Sequence, residues 1–237
     1  MKTKVFVFLL AILPFGLNAQ NSLMFKATSN GIAPIPAFTL GKPAGIISLN
    51  CKLFNNFEID PLVGFSLNDG KLWFSDSWLR YNIPMLKGKL IATAGFNFPS
   101  YVGEKIEVGG KAINQVTRCL NLQSKFRYII NESNSLVFDY WYIFIPRSIA
   151  NDSGHYISMV YDWKKELLKK IIVGAEINTF YLTYRGEKPA NGFASSIEAS
   201  LFHKKTGLFF GGQVFVPLTL KSDFSWNVSV GIKRNLF

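Results

Sequence analysis

Cysteine, histidine and acid are all scarce in this 237-residue chain, which has two Cys, two His, and 15 Asp and Glu against 26 Lys and Arg. Two distant histidines and two cysteines leave no zinc-type constellation, and no cofactor is expected. The cysteines make no disulfide framework either. Cys51 alternates with Ile47, Leu49 and Leu53, whereas Cys119 alternates with Asn121 and Gln123, so the two thiols belong to opposite kinds of strand face. Long apolar runs are also missing beyond residue 19, where nothing reaches the ~18–20 apolar residues that a spanning helix needs. A phosphate loop is absent too. Gly109-Gly110-Lys111 has Lys105 in place of the required leading Gly and Ala112 in place of the Ser or Thr. Charge is sparse at 17%, but hydrophobic residues make up 49%, which excludes a disordered chain.

What is there begins with one short apolar run. Val5 to Leu17 follow Lys2 and Lys4 and precede Ala19, the three-part pattern of a secretory signal peptide. Cleavage is expected after Ala19, leaving residues 20–237 as one mature domain. Losing Lys2 and Lys4 takes the net charge from +11 to +9. Aromatic residues are abundant at 15%, with 22 Phe, as sheets favour.

The mature chain alternates strand and turn. Leu120, Leu122, Phe126, Tyr128 and Ile130 share one parity, while Cys119, Asn121, Gln123, Lys125 and Arg127 share the other. Only a β-strand gives alternation of that period. Ile171, Val173, Ala175 and Ile177 oppose Gly174, Glu176 and Asn178. Phe193, Ile197, Ala199 and Leu201 oppose Ser196, Glu198 and Ser200, and Trp226, Val228 and Val230 oppose Asn227, Ser229 and Gly231. Turn residues separate the runs, and about twelve strands are predicted (10–12), near 23–29, 45–54, 57–67, 71–83, 89–98, 114–130, 136–145, 155–163, 170–184, 192–202, 207–218 and 223–236. Residues 31–45, with three prolines, resist assignment as loop or internal plug, and 164–170 is compatible with one helical turn. Connections tend to alternate between long (30–44, 99–113) and short (55–56, 131–135), as in transmembrane barrels with short periplasmic turns.

The chain stops on a strand, Ser229 to Phe237. With Gly231 and the terminal Phe237, this segment resembles the last strand of Gram-negative outer-membrane β-barrel proteins, although Arg234 departs from the pattern. The resemblance implies an all-β fold, a single closed antiparallel transmembrane β-barrel in the cell outer membrane. It also implies outer-membrane lipids and the barrel-assembly machinery as partners, the latter reading Gly231 and Phe237 as an assembly signal. The physics agrees, since an open sheet cannot satisfy its backbone in lipid. Tyr81, Tyr101, Tyr161, Trp163, Tyr184 and Trp226 are candidates for interfacial girdles.

If the polar parity lines a lumen, Asn121, Gln123, Lys125, Arg127, Glu176 and Glu198 face it. The function expected is structural or porin-like, passing or binding small solutes, with lumen cations biasing the choice towards anions. No nucleic-acid partner fits the compartment. Two alternatives remain open at this stage. One is a barrel hydrolase acting at the outer rim, where His155 beside Asp152 could activate water. The other is a secreted soluble barrel or sandwich binding an apolar ligand, because parity alone does not distinguish inside from outside. An enzyme is not the reading preferred.

Overall fold

The computed structural model describes residues 21–33, 39–54, 56–108, 110–146, 152–185 and 190–235. Residues 1–19, read from the sequence as a signal peptide, and Phe237 lie outside them. The strands are β1 (Ser22–Thr28), β2 (Ala44–Phe54), β3 (Phe57–Ser66), β4 (Leu72–Met85), β5 (Leu90–Asn97), β6 (Ser100–Val108) and β7 (Lys111–Arg118). They continue as β8 (Leu120–Asn131), β9 (Asn134–Ile145), β10 (Asp152–Leu167), β11 (Ile171–Arg185), β12 (Ala190–His203), β13 (Leu208–Pro217) and β14 (Ser225–Asn235). A single 3-10 turn, Leu86–Gly88, joins β4 to β5.

Twelve of these strands close into an antiparallel barrel. The ring runs β1-β14-β13-β12-β11-β10-β9-β8-β5-β4-β3-β2 and back to β1, with the β3–β4 pairing completing it. The first strand joins the last in register, Ser22 opposite Asn235 and Thr28 opposite Ser229. Closure removes every edge, the condition for a sheet to sit in hydrocarbon.

The remaining pair, β6 and β7, is a hairpin outside the ring, attached through Phe74–Tyr101 and Ser75–Ser100 to the start of β4. Here the structure corrects the sequence reading, which had a loop at 99–113 and one strand over 114–130. The chain changes partners at Cys119, whose N–H bonds Pro99 O at 3.0 Å. Before it, β7 pairs with β6; after it, β8 pairs with β5 and β9. Alternation continues unbroken through the switch, so parity carried no sign of it. The stretch 164–170 is likewise strand as far as Leu167, then a turn. No disulfide joins Cys51 and Cys119.

Orientation follows from exposure. Leu122, Phe126 (46% exposed), Ile157, Met159, Ile197 and Val228 are exposed, while their polar neighbours Asn121 and Gln123 are 5% exposed each. The apolar parity therefore faces out, and the wall is one that water would not tolerate bare. The closed ring replaces the sandwich of the second alternative, and its apolar outer wall is the reverse of what the soluble barrel in that alternative would need. Of the girdle candidates, Tyr81, Tyr161 and Trp226 are exposed on the wall, whereas Tyr184 is buried inside and Tyr101 packs against an interior cluster.

Candidate solute passage

The interior has two kinds of lining. Nearer the loop end it is apolar. One cluster joins Cys119, Ile143, Tyr156, Phe180, Leu182 and Phe215 to Leu220 from the β13–β14 connection. Ring contacts run through it from strand to strand, with centroids 5.1 Å apart for Trp78–Trp141, 4.8 Å for Trp141–Tyr156, 5.1 Å for Tyr156–Phe180 and 6.1 Å for Phe180–Phe215. Leu220 is drawn in because Phe193 O accepts the N–H groups of Leu218, Thr219 and Leu220, each at 3.0 Å.

A second cluster, Trp73, Phe74, Ala33 and Ala44, is capped by Leu40 of the β1–β2 connection. The described part of that connection bends back on itself, with Leu40 N–H bonding Gly31 O at 2.7 Å and Gly31 N–H bonding Lys42 O at 3.0 Å. A Cβ on Gly31 would stand 3.1 Å from the Trp73 ring, and one on Gly64 2.3 Å from Phe74. Glycine at these two places lets the rings lie flat against backbone.

The polar lining forms a connected network on β2, β3, β4, β8 and β9. The Asn50 amide donates to Glu58 and Asp60. Asp60 pairs with Arg80, whose Nε donates to Gln123 Oε1 at 2.9 Å. Gln123 Nε2 in turn donates to both Asp139 oxygens, at 3.0 and 2.9 Å. Asn82 Nδ2 donates to Glu58 Oε2 at 3.1 Å and receives the Thr93 hydroxyl at 2.7 Å. Arg80 also lies over the Trp78 ring, 4.6 Å from its centroid. It reaches Gln123 across β5 because residue 95 is glycine: a Cβ there would sit 3.1 Å from Arg80 Cγ and 3.2 Å from Gln123 Oε1.

Across the lumen, three carboxylates stand in one row, with Asp162 opposite Glu176 and Glu176 opposite Glu198. Like charges directly opposite on a sheet repel. A cation meets the row at one end, where Lys164 Nζ bonds Asp162 Oδ2 at 2.9 Å. Lys125 is placed among Arg80, Asp139, Arg127 and Glu58. Several buried acceptor oxygens have no hydrogen-bond partner in the protein, Asn97 Oδ1, Asn121 Oδ1 and Asn178 Oδ1 among them.

All six lumen candidates from the sequence lie on the inner parity of β8, β11 and β12, and the structure brings Gln123 and Lys125 together with Arg80. Sequence reasoning missed Arg80 and Trp78. Their signal was the shared parity of Trp78, Arg80 and Asn82, with Gly95 opposite on the next strand. His155 and Asp152 are three residues apart on β10, hence of opposite parity. The His155 ring stacks on Tyr140, with its Nδ1 2.9 Å from the Tyr140 hydroxyl, and lies tilted beside Tyr142 on the outer wall. Gly231 packs so tightly that a Cβ would stand 2.3 Å from Phe25 O. Among the described residues no group of three or more potential metal ligands occurs.

A closed ring of twelve antiparallel strands with an apolar outside and a polar inside is the fold of Gram-negative outer-membrane barrel proteins. No family model matches the chain, and no curated protein sequence does. Among solved structures it is similar to the KdgM porin in complex with disordered oligogalacturonate, at 11% identity and a TM-score of 0.59, over 91% of this chain and 99% of that one. It is also similar to an outer membrane channel from Pseudomonas putida F1, at 10% identity and a TM-score of 0.60, over 93% of this chain and 97% of that one. At these identities the likeness is one of fold.

Proposed function

We propose that the protein is a porin-like, non-enzymatic channel of the outer membrane that passes or binds small polar solutes carrying an anionic group. The observation behind this reading is the polar lumen itself, in which Arg127 is an exposed cation on the inner parity. A polar solute with one negative charge suits such a lining. The similarly folded KdgM porin, solved in complex with disordered oligogalacturonate, supports a porin-like reading. The apolar clusters at the loop end narrow the way in and favour small molecules. Hydrolysis at His155 has no part in this reading, because the ring is engaged with Tyr140 and Tyr142 on the outer wall.

Planar-bilayer recording of the reconstituted barrel tests it. Discrete conductance steps with anion preference are expected, and Arg127→Gln should weaken that preference more than Lys125→Gln, since Lys125 faces Asp139 across the strand pair. An absence of steps would reject the channel. Cation preference would reject the anionic solute.

A further inference from the structure

At the turn end the apolar outer wall runs to the brink of each turn. Met85, Ile130, Leu167 and Leu208 are the outward side chains nearest four of the turns, and all are exposed. Hydrocarbon therefore extends to the turns, which puts the turn residues themselves at headgroup level.

Three of these four turns are basic, the β8–β9 turn at 131–134 being the exception. Lys87 and Lys89 flank the β4–β5 turn, Lys165, Lys169 and Lys170 the β10–β11 turn, and Lys204 and Lys205 form the β12–β13 turn, every one of them exposed. The acids of these turns are Glu132 and Glu166, and Glu166 already holds Lys204. Two of the turns share a further feature. Leu86 and Lys87 have φ of 50° and 55°, and Leu168 and Lys169 have φ of 55° and 54°. Left-handed backbone of this kind suits Gly or Asn and disfavours a side chain such as leucine. Leu86 and Leu168 are nevertheless there, 65% and 85% exposed. They serve neither the turn nor the interior. An apolar tip followed by lysine suits the boundary where acyl chains meet phosphates, with the lysine stem along the apolar surface and its ammonium at the headgroups.

We propose that the turn end is a docking surface for anionic phospholipid of the leaflet it faces, with Leu86 and Leu168 entering the acyl boundary and the turn lysines binding headgroup phosphate. Charge complementarity selects this occupant. At the loop end, by contrast, Lys42 and Lys71 both approach Asp69.

The full barrel, placed in nanodiscs of equal parts phosphatidylcholine and phosphatidylglycerol, is analysed by native mass spectrometry for retained lipid. Phosphatidylglycerol should be retained about fivefold over phosphatidylcholine, the equivalent of ~1 kcal/mol for one surface lysine. The triple variant Lys87→Gln, Lys169→Gln, Lys170→Gln should lower the ratio, and Lys42→Gln with Lys71→Gln should leave it unchanged. Heat-modifiable gel migration confirms that each variant is folded, with single Lys169→Gln replacing any that is not. Leu86→Gly with Leu168→Gly relieves the backbone and should still shorten lipid retention. Equal retention of the two lipids by the unaltered barrel would overturn the proposal, as would selectivity undiminished in the turn variant. Co-sedimentation with peptidoglycan sacculi in the absence of any lipid preference would overturn it as well.

Discussion

Lys125 and Phe126 are neighbours in β8 and meet opposite surroundings. Phe126 is exposed on the outer wall, opposite Phe138 and Ala92, while Lys125 lies inside beside Asp139. An arginine on the lipid face near the midplane costs ~2–4 kcal/mol. Phe126→Arg should therefore lower the fraction of heat-modifiable, folded barrel after refolding into vesicles, and Phe126→Leu should keep it near the parent level. Gly231 makes a different prediction. The neighbour of its missing Cβ is the Phe25 backbone, which cannot swing aside. Gly231→Ala should cost roughly 1–3 kcal/mol by overpacking, seen as a lower unfolding midpoint of the purified protein in detergent. That measurement contains no assembly machinery, so a loss there assigns Gly231 to packing at the β1–β14 closure, apart from any role as an assembly signal.

Among the elements, the described part of the β1–β2 connection is packed against the inner wall. It folds onto Trp73, and removing that ring takes away the surface on which Leu40 and Ala33 rest. Trp73→Ala should cost about 3–5 kcal/mol of stability, as large-to-small core changes do. In a planar bilayer the same variant should show a larger single-channel conductance than the parent; an unchanged conductance would mean that this connection does not limit passage. The last strand carries the other element-scale prediction. If its terminal aromatic is part of an assembly signal, a chain ending at Leu236 should accumulate less in the outer membrane than the full chain, by immunoblot of membrane fractions, with its refolding in vitro unchanged.

Considered whole, the molecule distributes charge unevenly. Inside, the carboxylates Asp162, Glu176 and Glu198 stand side by side on β10–β12, and Arg80 on β4 pairs with Asp60. Much of the surplus cation is at the turn end. Ion preference should thus arise in part at the mouth, through a field that salt screens over about 8 Å at physiological ionic strength and about 3 Å at 1 M. The reversal potential under a fixed salt gradient should accordingly report stronger anion preference at 0.1 M than at 1 M. A preference independent of salt would place the selecting charges deep in the lumen, at Arg127.

The sequence by itself determined the periodicity, and with it nearly all the strands and the sorting of side chains into two faces. Asn121, Gln123, Lys125 and Arg127 fall on one face of β8 whatever the partner, because the period of a strand is a property of the backbone alone. It also marked those turns that carry Asn, Asp or Gly, such as 68–70 and 131–134, but not the turn at 168–170, which has none. Tertiary structure decided which face is inside. It decided too that β7 leaves the ring, for pairing depends on a partner distant in sequence and alternation is the same either way. The Asp60–Arg80–Gln123–Asp139 network was likewise out of reach of the sequence. It requires β5 to be crossed at Gly95, and only the closed ring brings β3, β4, β8 and β9 close enough for their side chains to meet.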